Sequence, residues 1–291
     1  MEEIVSKLKP KRVHFKRTDG VPLPECECPE DVQKSLPLLV KSSSYTWGNN
    51  KVQFFYNGKD CDDKFNHIAT LLSLIQPQHH PLHADIFLSP VKKYYPEDKV
   101  FGPSNVNTGY ASSEKIVVYR EEEWLKVFIH ECFHFFNFDA LLFSPDLTPR
   151  ILKLFPVNSK INVYESYCET WARTMNCCMI AAYTNVPVSV LLKRERKHSV
   201  RHMVNVLHHM DLNYHDLHQP SSFTEKTNVL AYVVLCSIVM NTDYLTTCPF
   251  QIKDVETYMK CIEDNYKKED FILAINHTIP QKTTTMSILS I

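Results

Sequence analysis

Residues 115–138 read KIVVYREEEWLKVFIHECFHFFNF. The first six, Lys115 to Arg120, are rich in β-branched residues and predict a short strand. Glu121, Glu122 and Glu123 then favour the positive N-terminal end of a helix, and no Gly or Pro interrupts the run from Trp124 to Phe138. Trp124, Leu125, Val127, Phe128, Ile129, Phe133, Phe135 and Phe136 cover nearly every face of that helix, which marks it as buried. Two histidines and a glutamate inside a buried helix need a compensating partner.

Helical geometry suggests what the partner is. At about 100° per residue, His130 and His134 lie roughly 40° apart and one turn along, so both imidazoles can reach one metal ion. Glu131, one step round, sits beside such an ion, where it can take a proton from bound water. A zinc ion used for chemistry takes three protein ligands and keeps one position open, so a third ligand must come from elsewhere. The metzincin pattern needs Gly at 137 and His at 140, and this chain has Asn137 and Ala140. The best remaining source is Tyr164-Glu165-Ser166-Tyr167-Cys168-Glu169-Thr170-Trp171-Ala172-Arg173, which starts another helix. Glu165 and Glu169 share a face there. One can bind the metal while the other, a turn away, hydrogen-bonds the far nitrogen of a ligating histidine.

An HExxH pair followed by a helix carrying ExxxExxA resembles the gluzincin branch of the zincin metallopeptidases, over about residues 105–175. The resemblance implies His130, His134 and Glu165 as zinc ligands, Glu131 as the catalytic base, and Glu169 supporting a histidine. Glu169 stands where the family more often has Asp, so Glu169 is the alternative third ligand. Asn105 to Ser113 resembles the strand that runs along a zincin cleft and pairs with an extended peptide. The implied fold is α+β and zincin-like: a mixed α/β N-terminal lobe carries the motif helix, a mainly helical C-terminal lobe follows, and the active-site cleft lies between. The implied activity is zinc-dependent hydrolysis of peptide bonds in a peptide or protein substrate, with Glu131 activating the water. A His or Tyr across the cleft commonly holds the oxyanion in such enzymes, which directs attention to the C-terminal histidines 198, 202, 208, 209, 215 and 218 and to Tyr214.

Composition excludes several other classes. A net charge of −1 argues against polyanion binding as the main activity. Only 5 glycines occur in 291 residues, and neither GxGxxG nor GxxxxGK[ST] is present, which removes the usual nucleotide-binding loops. The longest apolar run, 228–240, is shorter than the roughly 20 residues a membrane span needs. No secretory signal is visible at Met1 to Lys7, so an intracellular, cytoplasmic protein is expected, its 10 cysteines reduced. Cys26 and Cys28, with Cys61 and His67, offer a weaker second metal set, because Cys-x-Cys is tighter than usual zinc spacing.

The chain divides by pattern into four stretches. Residues 1–36 read as an arm, basic at Lys7, Lys9, Lys11, Arg12, Lys16 and Arg17 and then Pro-rich. Residues 37–140 form the α/β lobe, with strands at 52–56 and 84–88 and a helix at 62–75. Residues 141–277 form the helical lobe, with helices over 163–183, 187–210, 223–241 and 253–266, separated at Pro187, Pro220 and Pro249. Residues 278–291 read as a tail that is loose or docked. Two competing readings remain from other classes: a zincin-shaped structural or interaction protein that no longer turns over, and a nucleic-acid binder using the basic arm.

Overall fold

The computed structural model describes residues 1–8, 10, 13–248, 250–281 and 284–289. Lys9, Lys11 and Arg12 of the expected basic cluster, and the separator Pro249, lie outside the described residues.

In chain order the elements are α1 (Glu2–Lys7), β1 (Lys16–Asp19), α2 (Glu30–Ser35), β2 (Lys41–Trp47), β3 (Asn50–Tyr56), α3 (Asp62–Ile75), β4 (His83–Phe87), α4 (Pro103–Val106), β5 (Gly109–Ala111), β6 (Ile116–Val118), α5 (Trp124–Phe135), α6 (Leu147–Leu154), α7 (Val163–Thr184) and α8 (Val188–His209). A π-helical stretch, Leu230–Leu235, runs into α9 (Cys236–Met240), and α10 (Tyr244–Thr247), α11 (Val255–Asn265) and α12 (Glu269–Asn276) follow.

Six strands form one mixed sheet in the order β1-β2-β3-β4-β6-β5. β3, β4 and β6 run parallel, while β1, β2 and β5 join antiparallel. Strand side chains alternate between two faces. Phe54, Ile86, Ile116 and Val118 enter the large core with α3, α5 and α7, whereas Phe55, Phe87 and Val117 pack a smaller core on the other face. Cys26, Val32, Leu36 and Leu39 cover that second face.

Residues 1–36 therefore depart from the expected arm. They supply an edge strand, a helix against the back of the sheet, and α1, which packs on α7. One apolar cluster runs from Val52 and Phe54 through Phe128 and Trp171 to Tyr258 and Met259, across both of the expected lobes. The physical reason lies in α5 and α7. Both are buried around most of their circumference, so core packs against nearly every side of each. Among the described residues, no helix is long and apolar enough to cross a membrane.

One close approach positions the site. A Cβ added to Gly109 would lie 2.6 Å from the Val117 carbonyl oxygen and 2.9 Å from Val127 Cγ1. Glycine is what lets the edge strand β5 close down on α5 beside Glu131. The extended segment expected over 105–113 is shorter than its pattern suggests, because Pro103 opens a helical turn that Asn105 Oδ1 caps at the Gly102 amide, 3.0 Å away.

Candidate metal centre

Helix α5 places His130 and His134 on one face, and α7 crosses behind it to bring Glu165 and Glu169 against the same two rings. His130 Nε2 and His134 Nε2 are 3.0 Å apart, and Glu165 Oε2 is 3.2 Å from each. These three atoms make a nearly equilateral triangle. Metal–ligand bonds of about 2.0 to 2.1 Å in a tetrahedral arrangement set ligand atoms about 3.3 to 3.4 Å apart, so an ion capping this triangle meets all three after small shifts.

The far nitrogens are also engaged. His130 Nδ1 is 3.2 Å from Glu169 Oε2, and His134 Nδ1 is 2.6 Å from Asp139 Oδ2. A carboxylate accepts, so each Nδ1 carries the proton and each neutral imidazole then aims an Nε2 lone pair at the triangle. Two lone pairs and a carboxylate oxygen converge on one point. A single proton there satisfies two of the three atoms, whereas a cation satisfies all of them. The site's electrostatics agree. Burial works against charging either imidazole, yet Glu165 and Glu169 as hydrogen-bond acceptors raise His130, and Cys168, Asp139 and Glu165 raise His134 well above its usual value. The carboxylates surrounding the rings draw positive charge inward. His130, His134 and Glu165 are thus grouped within range to hold a metal ion.

Glu131 is buried but lies outside the triangle. Burial raises its carboxyl above the ordinary glutamate range, against the opposing pull of His130 and His134. Glu169 is held at about 2: burial would raise it, but Lys126 and the His130 hydrogen bond outweigh that. The Lys126 ammonium lies 3.0 Å from each Glu169 oxygen, with both side chains buried.

Three contributors to the site carry little signal in the sequence. Asp139 stands five residues past His134, and its only sequence signal is an acid just beyond the motif helix. Lys126 is one turn before His130, on a helix otherwise apolar there. Tyr232 was hidden in an apolar run. Its ring centroid is 5.7 Å from that of His130, and its hydroxyl sits by Asn228 and Glu165. Burial, with the Glu165 charge, pushes the phenol well above its usual range, so it remains a hydrogen-bond donor. The expected helix over 223–241 begins only near Leu230, where its first turns are π-helical. π-Helical turns often mark functional sites. Here the stretch carries Tyr232, and Asn228 just before it donates to Glu165 Oε1 at 3.1 Å.

Other expected candidates fall elsewhere. Tyr214 donates its hydroxyl to the Tyr266 carbonyl, and His198 Nε2 to the Thr285 carbonyl. Among the described residues the second metal-competent cluster is His134, Asp139 and Cys168, behind the triangle; Cys26, Cys28, Cys61 and His67 are not brought together. Comparisons of the chain with family models, with curated proteins and with solved structures find no match.

Proposed function

We propose that this protein is a zinc-dependent peptidase, with His130, His134 and Glu165 as the zinc ligands and Glu131 as the proton carrier. The observation that carries the reading is the convergence of three lone-pair atoms on one point, with both far imidazole nitrogens committed to carboxylates. Two nitrogens and one oxygen are a donor set zinc takes at catalytic centres, with a fourth position left open.

Zinc bound there would polarise a carbonyl and make water more acidic. Glu131, its carboxyl raised by burial, is suited to take a proton from that water and pass it to the departing nitrogen. In this reading the protonated phenol of Tyr232, beside His130, would donate to negative charge developing on the carbonyl oxygen. Among the described residues strand β5 pairs with β6 alone, and it lies over Glu131, so its other edge suits an extended peptide.

Two measurements test this. Purified protein should bind one zinc ion and cleave members of a quenched-fluorescence peptide library, with cleavage abolished by chelator and restored by zinc. Zinc binding without cleavage would favour the structural reading. Asp139→Ala should weaken zinc affinity by about 10- to 100-fold, measured by competition with a chromogenic chelator, because His134 loses the acceptor that fixes its tautomer.

A further inference from the structure

The C-terminal segment 284–289 is fixed by its main chain. His198 Nε2 donates to the Thr285 carbonyl at 2.9 Å, Glu123 accepts the amides of Met286 (3.2 Å) and Ser287 (2.5 Å), Glu195 accepts that of Ile288 (3.3 Å), and Asn176 Nδ2 donates to the Leu289 carbonyl at 3.1 Å. Asn176, Glu195 and His198 are buried, and the Glu123 side chain is only 4% exposed. Charged and amide groups of the protein interior thus set the path of the tail, whatever side chains it carries.

That path delivers one side chain to the metal centre. Met286 is 5% exposed, with Sδ 3.9 Å from the Lys126 ammonium. It walls a cavity shared with Gly109, Lys126, Val127, Glu131 and Tyr232, of about 30 Å³. This is room for about one or two waters. The cavity lies between the edge strand and the motif helix, where a peptide aligned on β5 would send down every second side chain.

We propose that Met286 is a specificity-determining residue: it closes the side-chain pocket beside Glu131 and restricts the substrate residue bound there to the size of glycine, alanine or serine. The proposal rests on the peptidase reading above. The tail thereby forms part of the substrate site, although it comes from the far end of the chain.

The test uses the full-length chain as wild type, Met286→Ala, Met286→Leu and, should the alanine variant fail to fold, Met286→Val. Peptides carrying Ala or Leu on either side of the cleaved bond report the kcat/KM ratio of large to small. In parallel, peptide hydroxamates bearing the same side chains are titrated into the zinc-treated proteins, which reads pocket size without turnover. Met286→Ala should move the ratio toward the larger residue by about 10- to 200-fold on one side of the bond only, as expected for a few methylenes' worth of space. Met286→Val should move it in the same direction by less, and Met286→Leu should stay near wild type. The same ratio in every variant overturns the assignment of Met286 and leaves the peptidase reading standing. Hydroxamate selectivity that depends on residue 286, in a protein that cleaves nothing, supports the pocket and overturns the peptidase reading. No hydroxamate binding to any zinc-treated form overturns both.

Discussion

Glu131→Gln should lower kcat by about 10²- to 10⁴-fold while zinc content stays at one ion per chain. The carboxylate stands beside the ligand triangle instead of in it, so the amide removes the proton carrier without removing a metal bond. The substitution keeps size and leaves no buried charge behind, so folding should be intact by circular dichroism. Single-turnover cleavage of a library hit, read alongside zinc analysis of the same sample, checks both halves. Full activity in the variant would mean that another group moves the proton; lost zinc would mean that Glu131 holds the ion.

Lys126→Met should have the largest effect on stability, about 3 to 5 kcal/mol in denaturant unfolding, because it leaves the buried Glu169 carboxylate without its ammonium. Glu123 would lose a second favourable charge, although Lys93 remains paired to it. Without Lys126, Glu169 is pushed toward its protonated form and ceases to be a good acceptor for His130 Nδ1. Zinc affinity should then fall by about 10- to 100-fold. The double variant Lys126→Met with Glu169→Gln separates the two consequences. It should recover much of the stability, since no lone charge stays buried, but not the zinc affinity, since a neutral amide supports an imidazole less well than a carboxylate. Recovery of both in the double variant would show that Glu169 does not tune His130.

How much of this was legible in the sequence depends on the distance over which each feature is determined. Helices α7 and α8 follow from uninterrupted patterning between Pro187 and its neighbours, and the structure bounds them at Val163–Thr184 and Val188–His209. The two imidazoles sharing a face follow from one helical repeat. Strand β2 was not legible, because its core-facing positions include Ser43 and Ser44, and a serine run reads as loop. Ser43 is tolerated in the interior because its hydroxyl meets Asp19 at 2.6 Å and the Tyr56 hydroxyl at 3.0 Å, partners 24 and 13 residues away. Strand β1 was obscured in the same way by charge, as an edge strand with mostly exposed side chains. At the site, Lys126 and Tyr232 acquire their roles only through contacts with α7, and Asp139, although local to His134, is marked in the sequence by no more than an acid just past the motif helix. The tail is the extreme case. Its path is set by Glu123, Asn176, Glu195 and His198, which become neighbours only after α5, α7 and α8 pack.

Where the ion binds is decided by diffraction from crystals grown with zinc, measured on both sides of the zinc absorption edge. One anomalous peak is expected within about 2.0 to 2.2 Å of His130 Nε2, His134 Nε2 and a Glu165 oxygen, with a fourth position open toward Glu131 and Tyr232. A peak bonded instead to His134, Asp139 and Cys168, or no peak at this triangle in zinc-soaked crystals, would contradict this ligand set.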